Sequence, residues 1–138
     1  MTVKPDWLVE EEITLDDGST ARWSYDTEGD ILEIFFQDDP ASCTVELADG
    51  VLLRLDLEHN RPLSLAFLSY TSLTDRREFG PPALPLDGLR RLPEPLRQTV
   101  TRIITTQPVS SVLKVFSYVP TPRTRKVVPV AWLSRAAA

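Results

Sequence analysis

The stretch Thr20-Ala21-Arg22-Trp23-Ser24-Tyr25-Asp26-Thr27-Glu28-Gly29-Asp30-Ile31-Leu32-Glu33-Ile34-Phe35-Phe36 decides the fold class. Ala21, Trp23 and Tyr25 alternate with Arg22 and Ser24, the period of two expected of a strand with one apolar face. Asp26 to Asp30 holds residues that tolerate tight turns. Ile31 to Phe36 then supplies the β-branched and aromatic content of a second strand. A strand, a short turn and another strand make an antiparallel pair.

The same grammar extends on both sides. Trp7 to Leu15 places Leu8, Val9, Ile13 and Leu15 ahead of a turn at Asp16-Asp17-Gly18-Ser19. After Phe36, the run Gln37-Asp38-Asp39-Pro40 interrupts the ladder, because proline lacks the donor that a central strand needs. Cys43 to Leu47 and Val51 to Leu57 flank Ala48-Asp49-Gly50, which reads as a further hairpin. Val51, Leu53, Leu55 and Leu57 alternate with Leu52, Arg54, Asp56 and Glu58, giving one apolar and one mostly charged face. His59-Asn60-Arg61-Pro62 turns the chain again. Leu63 to Tyr70 is nearly all apolar, as in a strand buried on both faces.

The second half changes character. Ten of the 12 prolines lie beyond residue 60, and Gly80-Pro81-Pro82-Ala83-Leu84-Pro85 reads as a connector. Leu86 to Leu92 suggests a short helical turn. Leu96, Val100, Ile103 and Ile104 fall on one helical face, which predicts a helix over 96–106. The β-branched Thr99, Thr101, Thr105 and Thr106 argue for a strand there instead. Val109 to Val119 and Val127 to Leu133 read as two more strands.

The expected architecture is therefore a single α+β domain over 1–138, an antiparallel, curved β-meander with one helix and a proline-rich connector packed on it. Its parts are an acidic meander (1–75), the connector (76–95), a helix plus hairpin (96–133) and a frayed tail (134–138). Trp23, Ile31, Ile34, Phe36, Val51, Leu53, Leu55, Leu65, Phe67, Val100, Ile104, Val115 and Trp132 form the expected core. The residues show no internal repeat.

Composition narrows the function classes. At 138 residues with 42% hydrophobic content, the chain can bury a core without staples. Cys43 is the only cysteine and His59 the only histidine. Intrachain disulfides, cysteine-based metal sites and two-histidine zinc motifs are thereby excluded. The 5 glycines satisfy neither dinucleotide nor P-loop spacing. No serine-hydrolase elbow is present. The N-terminus lacks the apolar stretch of a secretory signal and no segment is long enough to span a bilayer, so a cytoplasmic location without membrane contact is expected. The net charge of −5 is unevenly spread: residues 1–60 hold 16 Asp and Glu against 3 Lys and Arg, residues 61–138 hold 4 against 12.

Tyr25-Asp26-Thr27-Glu28-Gly29-Asp30-Ile31-Leu32-Glu33-Ile34, followed by Val51-Leu52-Leu53-Arg54-Leu55-Asp56 and Leu63-Ser64-Leu65-Ala66-Phe67-Leu68, resembles the domain of unknown function numbered 2283, a family of small prokaryotic proteins. The resemblance covers Trp23 to Leu73. It departs at His59-Asn60-Arg61, where the family has glycine, and at Ala66, where glutamate is common. It implies a β-rich fold and no assigned activity.

Three function classes follow, in order of support. The first is a non-enzymatic protein-binding or assembly module without a cofactor. It rests on the charge asymmetry, on the absence of a complete catalytic constellation, and on sheet edges open to strand pairing or self-association. Arg76, Arg77, Arg123, Arg125 and Lys126 are its candidate contacts. The second is a metal-assisted hydrolase using Asp26, Glu28 and Asp30, with Asp56 nearby. Alternating acids can converge on a divalent cation, but Ile31 and Gln37 stand where a calcium loop needs glycine and glutamate. The third is nucleic-acid binding through the arginine clusters, which the overall acidity opposes. A Cys43–His59 nucleophile pair is disfavoured, since Cys43 sits in an apolar-alternating strand and His59 in a polar turn.

Overall fold

The computed structural model describes residues 5–74, 84–118 and 128–133. Six strands form one antiparallel sheet: β1 (Leu8–Thr14), β2 (Thr20–Asp26), β3 (Ile31–Phe35), β4 (Cys43–Ala48), β5 (Val51–Asp56) and β6 (Arg61–Leu68). The spatial order is β1-β2-β3-β6-β5-β4. The chain thus builds a three-stranded meander, crosses to the far edge, and builds a second that closes against the first.

This order gives the sheet an approximate twofold axis perpendicular to it at the β3–β6 seam, with β1 matching β4 and β2 matching β5. The turns match as well. Asp26 Oδ1 accepts the N–H groups of Glu28 and Gly29 at 3.0 and 2.8 Å. Asp56 Oδ1 accepts the N–H of Glu58 at 3.0 Å. Asp30 and Asn60 then close the two turns at φ 55° and 50°. Short polar residues tolerate that left-handed conformation better than most. This internal repeat escaped the residue-by-residue reading. The first unit is two residues longer between its glycine turn and its aspartate turn, and a bulge between Arg54 and Leu55 shifts the second.

The inner face carries the core. Leu32 and Ile34 of β3, Val51, Leu53 and Leu55 of β5, and Leu65 and Phe67 of β6 are fully buried. They stack with Val100, Ile104, Leu113 and Ala131 from the second half in one cluster. Trp23, Phe36 and Val115 sit partly buried at its margin. Ile31 belongs instead with the outer face: it neighbours Leu32, and successive strand residues point to opposite sides. The side chain of Trp132 lies outside the described residues.

Burial on both faces of β6 has a specific cause. Ser64 and Ala66, on the outer face, are only 1% and 7% exposed. Glu33 and Arg54 cover them: Ser64 Oγ donates to Glu33 Oε2 at 2.6 Å, and Arg54 reaches the same oxygen at 3.3 Å. Two small side chains thus fit beneath a salt-bridged pair.

Beyond β6 come α1 (Tyr70–Thr74), β7 (Leu84–Pro85), α2 (Asp87–Arg90), α3 (Glu94–Ile104), a 3-10 turn (Val109–Ser111), β8 (Leu113–Tyr118) and β9 (Val128–Leu133). The helical reading of the 96–106 region holds. Val100, Ile103 and Ile104 bury one face of α3. Its threonines are accommodated because Thr99 and Thr105 donate hydroxyl hydrogen bonds to the carbonyls four residues back, at 3.2 and 2.7 Å. The small sheet has the order β7-β9-β8. The expected strand from Val109 begins later, since its first residues form the 3-10 turn. Residues 76–83 of the proline-rich connector and the tail (134–138) lie outside the described residues. No described helix is long and apolar enough to cross a membrane.

Candidate functional site

The two edges of the large sheet are treated differently. At β4, the backbone of α2 packs directly on the strand: a Cβ placed on Gly88 would lie 2.0 Å from the Glu46 carbonyl oxygen. Glycine permits a main-chain approach that no other residue would allow. At β1, the only strand paired among the described residues is β2.

The hydrogen-bond phase of β1 can be read from its ends. Thr27 N–H donates to the Trp7 carbonyl at 2.8 Å, and Leu15 N–H donates to the Ser19 carbonyl at 2.8 Å. The register between these points is unbroken. Antiparallel partners alternate between bonded and non-bonded pairs. Val9, Glu11 and Ile13 therefore bond to β2, and Glu10, Glu12 and Thr14 direct their N–H and C=O groups away from the sheet.

Side chains complete this edge. Glu10 and Glu12 lie on the outer face, while Val9, Glu11 and Ile13 lie on the inner one. A hollow of about 390 Å³ opens beside the strand, lined in part by Glu10, Glu11, Glu12, Arg22, Phe35 and Asp38. Arg22 lies 4.3 Å from the Phe35 ring centroid and 3.4 Å from Asp38 Oδ1. The hollow thus holds four carboxylates and one guanidinium.

The acids singled out in the sequence have other duties. Asp26 caps its own turn, as described above. Asp30 accepts the Tyr25 hydroxyl at 2.6 Å and the Thr71 hydroxyl at 2.6 Å, tying β2 and α1 to one carboxylate. The Thr71 hydroxyl and then the Tyr25 hydroxyl hold the Asp30 carboxyl below its ordinary range. The reciprocal effect pushes the Tyr25 phenol up to about 12. Glu28 is exposed.

Among the described residues, the three-donor group close enough to hold a metal is Asp56, Glu58 and His59, with ligand atoms within 4.8 Å of one another. Of these three, sequence spacing points to Asp56 alone. Spacing alone did not reveal that the repeat's second turn folds back as the first does. One of its ligands, Asp56, is already partnered. Asp56 Oδ2 accepts His59 Nδ1–H at 2.7 Å and Arg61 Nε–H at 3.3 Å. Arg61 also reaches Asp39 at 2.5 Å. The His59 contact, foremost, holds the Asp56 carboxyl below its usual range. Cys43 packs against the core at its strand position. Arg76, Arg77, Arg123, Arg125 and Lys126 all lie outside the described residues.

Comparison with known families follows the sheet. Residues 22–68 match the family model described as protein of unknown function DUF2283. The matched segment runs from β2 to β6, which is the large sheet without β1. The open edge strand lies outside that segment, as do all the helices. Neither the curated proteins nor the solved structures contain a match to the chain.

Proposed function

We propose that this protein is a non-enzymatic binding or assembly module that takes up a partner strand along β1. The observation carrying this reading is the contrast between the edges: β4 is covered at Glu46 by Gly88 of α2, whereas the outward main-chain groups of Glu10, Glu12 and Thr14 have no partner among the described residues. An open edge is a template for another strand, with main-chain hydrogen bonds supplying affinity and alternate side chains supplying selectivity.

The test compares tagged protein carrying Glu12→Pro with a Glu12→Gln control, purified at low salt from the native host. Both variants remove the charge, and only proline removes the outward N–H. A stoichiometric partner kept by the wild type and by Glu12→Gln, and lost by Glu12→Pro, supports strand docking. A strictly monomeric wild type with no retained partner, or retention indifferent to proline, contradicts it.

A further inference from the structure

We infer that the strand received by β1 is a basic one, with arginine or lysine at alternate positions and apolar residues between them; this rests on the docking reading above. The side chains flanking the open backbone set the requirement. Glu10 and Glu12 project on the outer face, beside a hollow whose lining includes Glu11 and Asp38 as well and whose one guanidinium, Arg22, is already engaged by Asp38 and Phe35. Opposite charges in facing strand positions stabilise a pair, and like charges destabilise it. On the inner face, Val9 and Ile13 offer apolar contacts, and Val9 is 37% exposed. With arginines opposite Glu10 and Glu12, the alternating valines fall on the inner face, where they meet Glu11 and one of Val9 and Ile13.

The same charges exclude the simplest alternative occupant, the β1 strand of a second copy. Antiparallel pairing of two β1 strands about Glu11 would set Glu11 against Glu11 and each Glu10 against a Glu12. Three glutamates in sequence would then face three more, a repulsion each pairing adds to. Such charges on an edge strand guard against self-pairing while leaving the backbone open to a cationic partner.

The probe is a fluorescein-labelled heptapeptide, Thr-Arg-Val-Arg-Val-Arg-Thr, titrated against the full chain by fluorescence anisotropy at low salt. Its counterpart has glutamate at each arginine. The expected result is saturable binding of the arginine peptide only, weakened at least about tenfold by Glu12→Pro relative to Glu12→Gln, and abolished by the double change Glu10→Lys with Glu12→Lys. If the arginine peptide binds Glu12→Pro and Glu12→Gln alike, it adheres by charge without strand pairing, and the inference is overturned. Equal binding of both peptides, lost with proline, overturns the basic requirement and leaves the docking edge standing. If neither peptide binds, the basic partner is overturned, and retention of a host partner by the wild type and Glu12→Gln but not by Glu12→Pro then decides the docking reading separately.

Discussion

Gly88 of α2 and Glu46 of β4 meet main chain to main chain, with no room between them for a single methyl group. Besides Glu46 O at 2.0 Å, an added Cβ would meet Glu46 C at 2.7 Å and Leu47 C at 3.1 Å, all of them backbone atoms that cannot swing aside. Gly88→Ala is therefore expected to separate α2 from the sheet and cost about 1–3 kcal/mol, in the range of overpacked core substitutions. Urea unfolding checks this: a midpoint unchanged from wild type would mean that the contact is loose.

Proline scanning of β1 tests the hydrogen-bond phase. Glu11→Pro removes a donor bonded to β2 and should cost about 1–3 kcal/mol, the penalty of leaving its carbonyl partner unpaired. Glu12→Pro removes a donor that faces outward and should cost less than about 1 kcal/mol. Equal losses at both positions would show that the phase derived from Thr27 and Leu15 is wrong.

The Tyr25–Asp30 pair gives a titration signature. Tyr25 is held at about 12 by its hydrogen bond to Asp30, so its phenolate band should emerge late in an ultraviolet titration. Asp30→Asn should bring that ionisation back toward 10, the ordinary value. The stability linked to the phenol is complete below its unfolded value near 10 and is lost as pH rises toward 12. For Asp30 and Asp56 the sign reverses. Their folded values are lowered, so their contribution is present above the ordinary 3.8 and disappears as pH falls through the depressed values. A Tyr25 ionisation that Asp30→Asn leaves in place would remove this account.

Metal addition separates the binding reading from the hydrolase one. Asp26 and Asp30 already serve backbone and hydroxyl donors, and Arg61 with His59 occupies Asp56. Mg²⁺, Mn²⁺ and Ca²⁺ are accordingly expected to leave the melting temperature unchanged. A stabilisation abolished by Asp26→Asn with Asp30→Asn would instead favour a cation site at the first turn.

Much of the fold was legible because its strands obey strict alternation. Val51, Leu53 and Leu55 announced a buried face, and they line it. The helix at Glu94–Ile104 was legible in the spacing of Val100, Ile103 and Ile104, despite its threonines. Strand order was not, because nothing local to Phe35 states that the chain must cross to the far edge before Leu65 returns beside Ile34. Ile31 was misplaced for a related reason: an apolar side chain at a strand start does not declare its face. The acidic turn was legible as a turn, and its role as a tie between Tyr25 and Thr71 was not, since Thr71 is 41 residues from Asp30. The outward main-chain groups of Glu10, Glu12 and Thr14, which lack partners among the described residues, lay hidden in a glutamate run, because charge alone does not reveal hydrogen-bond phase.

Amide hydrogen exchange along β1, followed by NMR on the isolated chain, is the most direct test of the central claim. The N–H groups of Glu10, Glu12 and Thr14 should exchange at least about a hundredfold faster than those of Glu11 and Ile13. Addition of the arginine–valine peptide should then slow the Glu12 amide. A Glu12 amide already as protected as Glu11 in the isolated monomer would show that the edge is closed, and would contradict strand docking at β1.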